Sequence, residues 1–300
     1  MNRCSQIISD KCTSQLANYI NQSKPTLSDK LTFKGSLKYL ILFDSRISIE
    51  INQADRFEAF EVDNGQVIAN GPALSEARVS EFLLGANRVR TQYESLRHIK
   101  NSGSNSAWLL ISAYYCAFFS CIEISKLFNR ISFSLEGEDL DILKRKATGP
   151  AHAAFFAAGH SNFVGTEFAG KLIFRSVGTR PHPMAWDSVH QTFRELFSKK
   201  CWPDAQQYIE LLGNPDYSPS RIRNTWNYKR SDYFGATGEN KATEFRKLLG
   251  NSDGAYAWLT RRGKAEVLDP CVVAVLCEAL AAPVVEAAQR AGELLRQAGS

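Results

Sequence analysis

The sequence feature that most constrains the fold is an uncharged, mostly apolar run from Ala107 to Ile122. This run is shorter than the roughly 20 residues that a membrane-spanning helix needs, and Glu123 and Lys126 follow it directly. Apolar residues occupy nearly every side of the helix that the run would form, as in a helix at the centre of a bundle. The sequence therefore predicts a mainly α protein with a buried helix over about Ser106 to Phe128.

The regions on both sides of this run also have helical patterns. Apolar residues recur at alternating spacings of three and four from Val79 to Leu96, which predicts a long helix with Ser75 as its N-cap. A last helix is expected to begin after Asp269-Pro270 and to reach about Gln297, with a kink or interruption at Pro283. Shorter helices are predicted in five further segments: Ile7 to Ile20, Ser188 to Lys199, Pro203 to Leu212, Lys241 to Leu249 and Ala255 to Arg261.

Residues 31 to 70 have the pattern of a small antiparallel β-sheet. Asn64-Gly65 is a strong signal for a two-residue hairpin turn, and Pro72 is expected to end the sheet. Four segments around that turn have a strand composition or alternate between apolar and polar residues: Lys38 to Phe43, Ser45 to Ile51, Phe57 to Val62 and Gln66 to Ile68.

A Gly- and Pro-bearing stretch from 131 to 188 interrupts the helical pattern. Within it, Phe163 to Val177 is predicted to form a hairpin, with Lys171 to Ser176 as one strand. We therefore expect an N-terminal segment with the small sheet over residues 1 to 72. A helical domain over residues 73 to 300 would follow, with 131 to 188 as an insertion.

Charge and cysteine usage restrict the cellular setting. The net charge of +5 and the isoelectric point near 8.8 permit a nucleic-acid partner without requiring one. The seven cysteines are odd in number, and none forms a Cys-x-x-Cys pair. Because Met1 to Lys11 also has no apolar stretch typical of a signal peptide, a reducing, cytoplasmic location with no membrane association is expected.

Neither a metal site nor a cofactor is predicted. His152 and His160 are eight residues apart, as are His182 and His190, so neither pair has the i and i+4 spacing of two zinc ligands on one helix. The sequence also lacks a Walker motif, a Gly-rich dinucleotide loop and a Gly-x-Ser-x-Gly elbow.

The segment from Arg221 to Arg230 is the most informative for function. It contains four cations and two aromatic residues, a mixture that suits single-stranded nucleic acid because cations neutralise phosphates and aromatic faces stack on bases. The competing interpretation is a solvated basic helix face with Trp226 turned into the core.

The uncharged helix and this basic segment together resemble the HEPN superfamily. The resemblance is carried by Ala113-Tyr114-Tyr115-Cys116-Ala117-Phe118-Phe119 and by Arg223-Asn224 through Tyr228. It covers roughly residues 75 to 130 and 188 to 297. It implies a helical bundle that forms homodimers, and many such domains are metal-independent ribonucleases of toxin–antitoxin, CRISPR-linked and antiphage systems. Their active motif is an Arg followed by a polar residue, with a His four to six residues after the Arg.

The match to that motif is partial. Arg223 and Asn224 fit its first part, whereas the positions of the His hold Asn227, Tyr228 and Lys229, and Arg230 at the widest spacing. RNA cleavage by the 2′-hydroxyl needs a proton acceptor and a proton donor, and His suits both roles because its pKa is near neutrality. Tyr, with a reference pKa of about 10, is a poor base at neutral pH. Three alternatives therefore remain open: Tyr228 replaces the His, a distant His enters the site, or the domain binds without catalysis.

The resemblance implies catalytic roles for three residues of the segment. Arg223 would hold the scissile phosphate, Asn224 would orient it, and Tyr228 would act as hydrogen-bond donor or acid. Contacts to the flanking nucleic acid are expected from four residues: Arg221, Trp226, Lys229 and Arg230.

Two functions are compatible with this pattern. The first is an RNA-directed effector, a metal-independent ribonuclease of a bacterial antiphage defence or toxin system, acting as a homodimer. The alternative is a catalytically inactive HEPN-like interaction or regulatory module that assembles with a partner protein of such an operon. In a further version of either function, the N-terminal sheet would sense a partner or a ligand.

Overall fold

The computed structural model describes residues 3–23, 33–68, 71–178, 181–197, 203–261 and 266–299. These residues are mainly helical and include one antiparallel β-sheet. The α-helices are α1 (Arg3–Ser23), α2 (Leu37–Phe43), α3 (Pro72–Asn101), α4 (Ser106–Leu127), α5 (Gly137–Lys146), α6 (His152–Ala157), α7 (Pro181–Phe197), α8 (Pro203–Gly213), α9 (Pro219–Asn224), α10 (Ala236–Lys241), α11 (Thr243–Leu248), α12 (Ser252–Arg261) and α13 (Cys271–Gly299). The strands are β1 (Ile47–Gln53), β2 (Arg56–Asp63), β3 (Gln66–Val67), β4 (Ile131–Ser134), β5 (Asn162–Phe168) and β6 (Lys171–Ser176).

The long helices confirm the periodic patterns of the sequence. Helix α4 covers the predicted segment, and most of the apolar stripe of α3 is buried. Helix α13 continues through Pro283, and the Oδ1 atom of Asp269 accepts a hydrogen bond from the backbone N–H of Cys271 at 2.8 Å. The expected N-cap of α3 is wrong, because the helix begins at Pro72, whose fixed φ suits a first turn. Ser75 lies inside the helix and donates a hydrogen bond to Gln22.

Helix α2 corrects the expectation of a strand over Lys38 to Phe43. The period of so short an apolar run does not distinguish a strand from a buried helix. Here the hydrogen bonds at the two ends of the segment stabilise the helix. The Oγ atom of Ser36 accepts a hydrogen bond from the backbone N–H of Tyr39 at 3.2 Å, as an N-cap does. At the other end, the Nζ atom of Lys146 donates to the carbonyl oxygens of Ile41 and Asp44, at 2.7 Å each.

The predicted hairpins are present. Strands β2 and β3 are joined through Asn64 and Gly65, whose φ angles of 49° and 79° are those of a type I′ turn. Strands β5 and β6 pair in the predicted Phe163 to Val177 region.

The sequence suggested a sheet confined to the N-terminal segment, and this prediction is wrong. The strand order of the sheet is β1-β2-β6-β5-β4, with β3 pairing to β2, so the expected insertion supplies three of the strands. The shared core is aromatic: the rings of Phe57 and Phe174 stack at 4.7 Å, and Phe163 lies 5.2 Å from Phe57. Long-range strand pairing of this kind has no local signature in the sequence.

The chain groups into two compact units that do not follow the predicted division at residue 72. Unit 1 comprises residues 1–12, 85–124 and 185–288, and it contains most of the helices. Unit 2 comprises residues 13–84, 125–184 and 289–300, and it contains the sheet.

Two helices are long and apolar enough to cross a membrane by length and composition, Ser106–Leu127 and Cys271–Gln297. Of their most apolar windows, 72% and 78% of the residues are buried within the protein. Such burial is typical of the core helices of a globular fold.

Candidate functional site

The basic segment of unit 1 forms a helix that changes its winding. Helix α9 runs into a single π-helical turn over Thr225–Lys229, in which the backbone N–H of Arg230 donates to the carbonyl of Thr225 at 3.0 Å. In an α-helix, residues five apart point about 140° away from each other. Because the hydrogen bonds of a π turn span five residues, Tyr228 instead lies beside Arg223.

The guanidinium of Arg223 is enclosed by three tyrosine rings. Its Cζ atom lies 5.1 Å from the ring centre of Tyr114, 5.6 Å from that of Tyr115 and 5.7 Å from that of Tyr228. The residue is only 8% exposed. Among the described residues it forms no ion pair with a carboxylate, and its buried Nε atom has no hydrogen-bond acceptor. A buried cation without an anionic partner is costly, so this position is suited to an anion from outside the chain.

Helix α4 supplies one wall of this enclosure through Tyr114. The hydroxyl of Tyr114 shares a hydrogen bond with the Oγ atom of Ser220 at 3.1 Å and accepts one from the Nε1 atom of Trp186 at 3.4 Å. Burial raises the pKa of Tyr114, and these hydrogen bonds, together with the charge of Arg223 and its own hydrogen bond to Tyr114, offset only part of that rise. Tyr114 therefore remains a neutral phenol near neutral pH and does not act as a base.

The sequence did not assign Tyr114 and Tyr115 to the site, although both stand in the segment that carries the family resemblance. Their aromatic pairing is equally typical of a helix core, and nothing in their spacing indicates a distant arginine. The π turn likewise has no recognisable sequence signal. The packing of α4 against α9 brings Tyr114 and Tyr115 to Arg223, and the π turn brings Tyr228 there.

The exposed side of the site is formed by Tyr228 and Asn224. Tyr228 is 72% exposed, so its hydroxyl is accessible to a ligand held by Arg223. Asn224 is half-buried and forms no side-chain hydrogen bond with the rest of the described chain. Arg223 can clamp a phosphate or carboxylate, and the phenol and the amide can donate further hydrogen bonds to it.

Two histidines that could have completed the site have other partners. His190 packs against the backbone of Gly213, where a Cβ atom would lie 2.9 Å from its Cε1 atom, and burial lowers the pKa of His190. His152 is bound to the carbonyl of Lys144 at 2.9 Å in unit 2. The alternative of a distant His entering the site gains no support from these positions.

Trp226 requires a correction. We expected it to contact nucleic acid, but its side chain is 1% exposed and its ring lies 4.6 Å from that of Tyr233. A buried indole cannot stack on a base, so the competing interpretation, with Trp226 in the core, describes its placement.

The remaining cations of the segment differ in their availability. Arg230 forms two hydrogen bonds with the carboxylate of Asp232, at 2.8 and 2.6 Å, and Arg221 donates to the carbonyl of Pro215 at 2.9 Å. Both side chains are exposed, as is Lys229. Exposed ion pairs are weak, so all three can still contact an anionic ligand.

An open cavity of about 1070 Å³ lies beside this segment, and Trp226 and Lys229 are part of its lining. Its described lining contains cations and carboxylates in nearly equal number: Lys229, Arg230, Lys241 and Arg261 against Glu244, Glu266 and Asp269. The lining therefore lacks the single-signed charge of a groove that follows a nucleic-acid backbone. Of the two features, only the Arg223 enclosure has the character of an anion site.

The comparisons with known proteins add nothing to this geometry. Neither the protein-family models, nor the curated proteins, nor the solved structures include a match to this chain. Within the part of the chain that the structure describes, no group of three or more His, Cys, Asp or Glu side chains is arranged to hold a metal ion.

Proposed function

We propose that this protein is an RNA-directed effector of HEPN type, in which Arg223 binds a phosphate of the RNA backbone. The observation that carries the proposal is the burial of the Arg223 guanidinium beside three tyrosines, without a carboxylate partner among the described residues. The fork of a guanidinium matches two phosphate oxygens. A phosphate in this position would neutralise the buried charge, and the exposed Tyr228 would contact the same group.

The proposed reaction is metal-independent cleavage by the neighbouring 2′-hydroxyl. The 2′-oxygen attacks phosphorus and loses its proton, the bond from phosphorus to the 5′-oxygen breaks, and that oxygen receives a proton as it leaves. Arg223 would stabilise the charge that develops on the phosphoryl oxygens, and Asn224 would orient the group. Tyr228 would supply the proton to the leaving oxygen, while a second copy of the chain or water would accept the proton of the 2′-hydroxyl.

Its setting would be that of the family it resembles. We propose a cytoplasmic homodimer that acts in bacterial antiphage defence or in a toxin–antitoxin pair, with RNA as its ligand. Neither a metal nor another cofactor is needed for the chemistry above.

The test is cleavage of total RNA and of a labelled single-stranded RNA, with a chelator present. We expect cleavage by the wild type and its loss in Arg223→Ala. Arg145→Ala removes an exposed arginine of unit 2 and should retain the activity. Loss in Tyr228→Phe would support proton donation by the phenol, whereas equal activity of the wild type and Arg223→Ala would contradict the proposal.

A second function is favoured by a separate observation. Trp226 is part of the core, and the motif positions that would hold a His carry none, so the motif supplies no clear base. On this proposal, the helical unit is an inactive HEPN-like module that binds a partner protein of the same operon. Absence of both RNA binding and cleavage, in a preparation whose fold is intact, would favour it over the effector.

A further inference from the structure

A second open groove, of about 860 Å³, lies wholly within unit 2. It is formed by the C-terminal half of α1, by Asn129 after α4 and by the turn between β5 and β6. Its polar lining is dominated by side-chain amides, from Gln15, Asn18, Asn21, Gln22 and Asn129. Neither proposal for the Arg223 site uses this groove.

The groove carries almost no net charge. Glu167 is the charged residue of its described lining, and the carboxylate of Glu167 is paired with the guanidinium of Arg78 at 2.8 Å. A phosphate or carboxylate ligand would therefore meet no available cation there, and a cationic ligand would meet a carboxylate that is already neutralised.

Arg78 also holds the three walls of the groove together. Its Nη1 atom donates to the hydroxyl of Tyr19 on α1 at 2.7 Å and to the Oδ1 atom of Asn129 at 3.4 Å. Its Nη2 atom donates to Glu167 on β5. Because Arg78 is only 6% exposed, this network fixes the walls before any ligand arrives, which lowers the entropy cost of binding.

Several lining amides are available to a ligand. The side chains of Gln15, Asn18 and Asn21 form no hydrogen bond within the described part of the chain, and Asn18 and Asn21 are exposed. Each amide offers one acceptor and two donor hydrogens. At the rim stands Phe168, 72% exposed, at the start of a two-residue turn.

We propose that this groove binds a neutral saccharide. Sugar hydroxyls are both donors and acceptors, as amides are, and they need no charged partner. The C–H face of a pyranose ring is apolar and can lie flat on an exposed phenyl ring such as that of Phe168. The combination of uncharged polar groups, one exposed aromatic ring and a rigid frame is that of a site for a polar, uncharged ligand. This inference is independent of the proposed RNA function.

The test uses the full chain and a panel of neutral oligosaccharides, maltotriose, cellotriose and chitotriose, each at millimolar concentration. Saturation-transfer NMR should show transfer to at least one of them. Phe168→Ala and Asn18→Ala should weaken its binding about tenfold each. Phe43→Ala is the matched control, since Phe43 is also an exposed phenylalanine, 51% accessible, outside the groove. The thermal midpoint of each variant verifies that its fold is intact.

Two further ligands make the proposal falsifiable. Trigalacturonate has the same ring size with negative charges, and a capped neutral tripeptide offers amides without sugar rings. The proposal is overturned if no neutral saccharide gives transfer, if Phe168→Ala binds as the wild type does, or if only the anionic sugar or the peptide binds at Phe168.

Discussion

Arg78 in unit 2 and Arg223 in unit 1 are both more than nine-tenths buried, yet their surroundings differ. Arg78 is bonded to the carboxylate of Glu167, the hydroxyl of Tyr19 and the amide of Asn129. Arg223 is surrounded by tyrosine rings and has no carboxylate partner among the described residues. The described residues therefore supply hydrogen-bond and charge partners to Arg78 but no carboxylate to Arg223. The contrast indicates that Arg78 is a structural residue, and it is the basis for the proposal that Arg223 binds an external anion.

The largest expected effect is a difference in stability between two matched substitutions. Arg78→Met should lower the free energy of unfolding by about 3 kcal/mol, because it removes three hydrogen bonds and leaves Glu167 without its partner. Arg223→Met should change it by less than about 1 kcal/mol, since removing a buried charge that has no carboxylate partner among the described residues offsets the loss of its contacts with the tyrosines. Urea unfolding measures the free energy of unfolding of both variants. An equal decrease in that free energy would contradict the contrast between the two arginines.

Removal of the carboxylate alone should have a smaller effect. Glu167→Gln keeps the shape of the side chain and one acceptor but leaves Arg78 uncompensated, and we expect a decrease in stability of about 2 kcal/mol. In a double-mutant cycle, Arg78→Met with Glu167→Gln should cost less than the sum of the two single changes. Additive costs would mean that the pair is not coupled.

Inorganic phosphate should distinguish the two arginines directly. An anion that binds the folded state stabilises it by mass action, so phosphate should raise the thermal midpoint of the wild type and of Glu167→Gln by a few degrees, corresponding to about 1 kcal/mol. Arg223→Met should lose this rise. Sodium chloride at equal ionic strength is the control, and an equal rise in Arg223→Met would place the anion elsewhere.

The smallest effect concerns a third cation, whose hydrogen-bond acceptors are backbone carbonyls. Lys146 donates to two backbone carbonyls, and its partial burial lowers the pKa of its ammonium from 10.5 to about 8. Between these two pKa values the unfolded chain binds more protons than the folded one, so this residue's contribution to stability grows as pH rises from about 8 to 10.5. Over this pH range, the free energy of unfolding of the wild type should increase relative to that of Lys146→Met. The increase should be about 1 kcal/mol or less, because solvent screens a half-exposed group. A difference that stays constant over this pH range would contradict the assignment.

The sequence predicts the parts of this molecule that have a local signal. The apolar period identifies α3, the uncharged apolar run identifies α4, and Asn64-Gly65 identifies a hairpin, because each signal depends on residues within a few positions of one another. It misses α2, whose seven residues are too short for a period to be distinguished. It also misses the pairing of β2 with β6, which joins segments more than 100 residues apart.

The candidate site also has parts that the sequence predicts and parts that it does not. The motif selects Arg223 and Tyr228, and the structure places the Tyr228 ring 5.7 Å from the Arg223 guanidinium, while their roles stay predictions. The side of the helix to which Trp226 points depends on the π turn, which a sequence pattern does not reveal. The partners of Arg78 come from residues 19, 129 and 167, so the contrast between the two arginines becomes visible only in three dimensions.

The central claim is that Arg223 binds an RNA phosphate, and the most direct test is fluorescence anisotropy of a labelled single-stranded RNA. The wild type, Arg223→Met and the control Arg145→Met, which removes an exposed charge in unit 2, would be titrated at several salt concentrations. We predict that Arg223→Met binds at least about tenfold more weakly, and that its salt dependence falls by about 0.7 in log–log slope, as expected when one phosphate contact is removed. Affinity and slope equal to those of the wild type would contradict the claim.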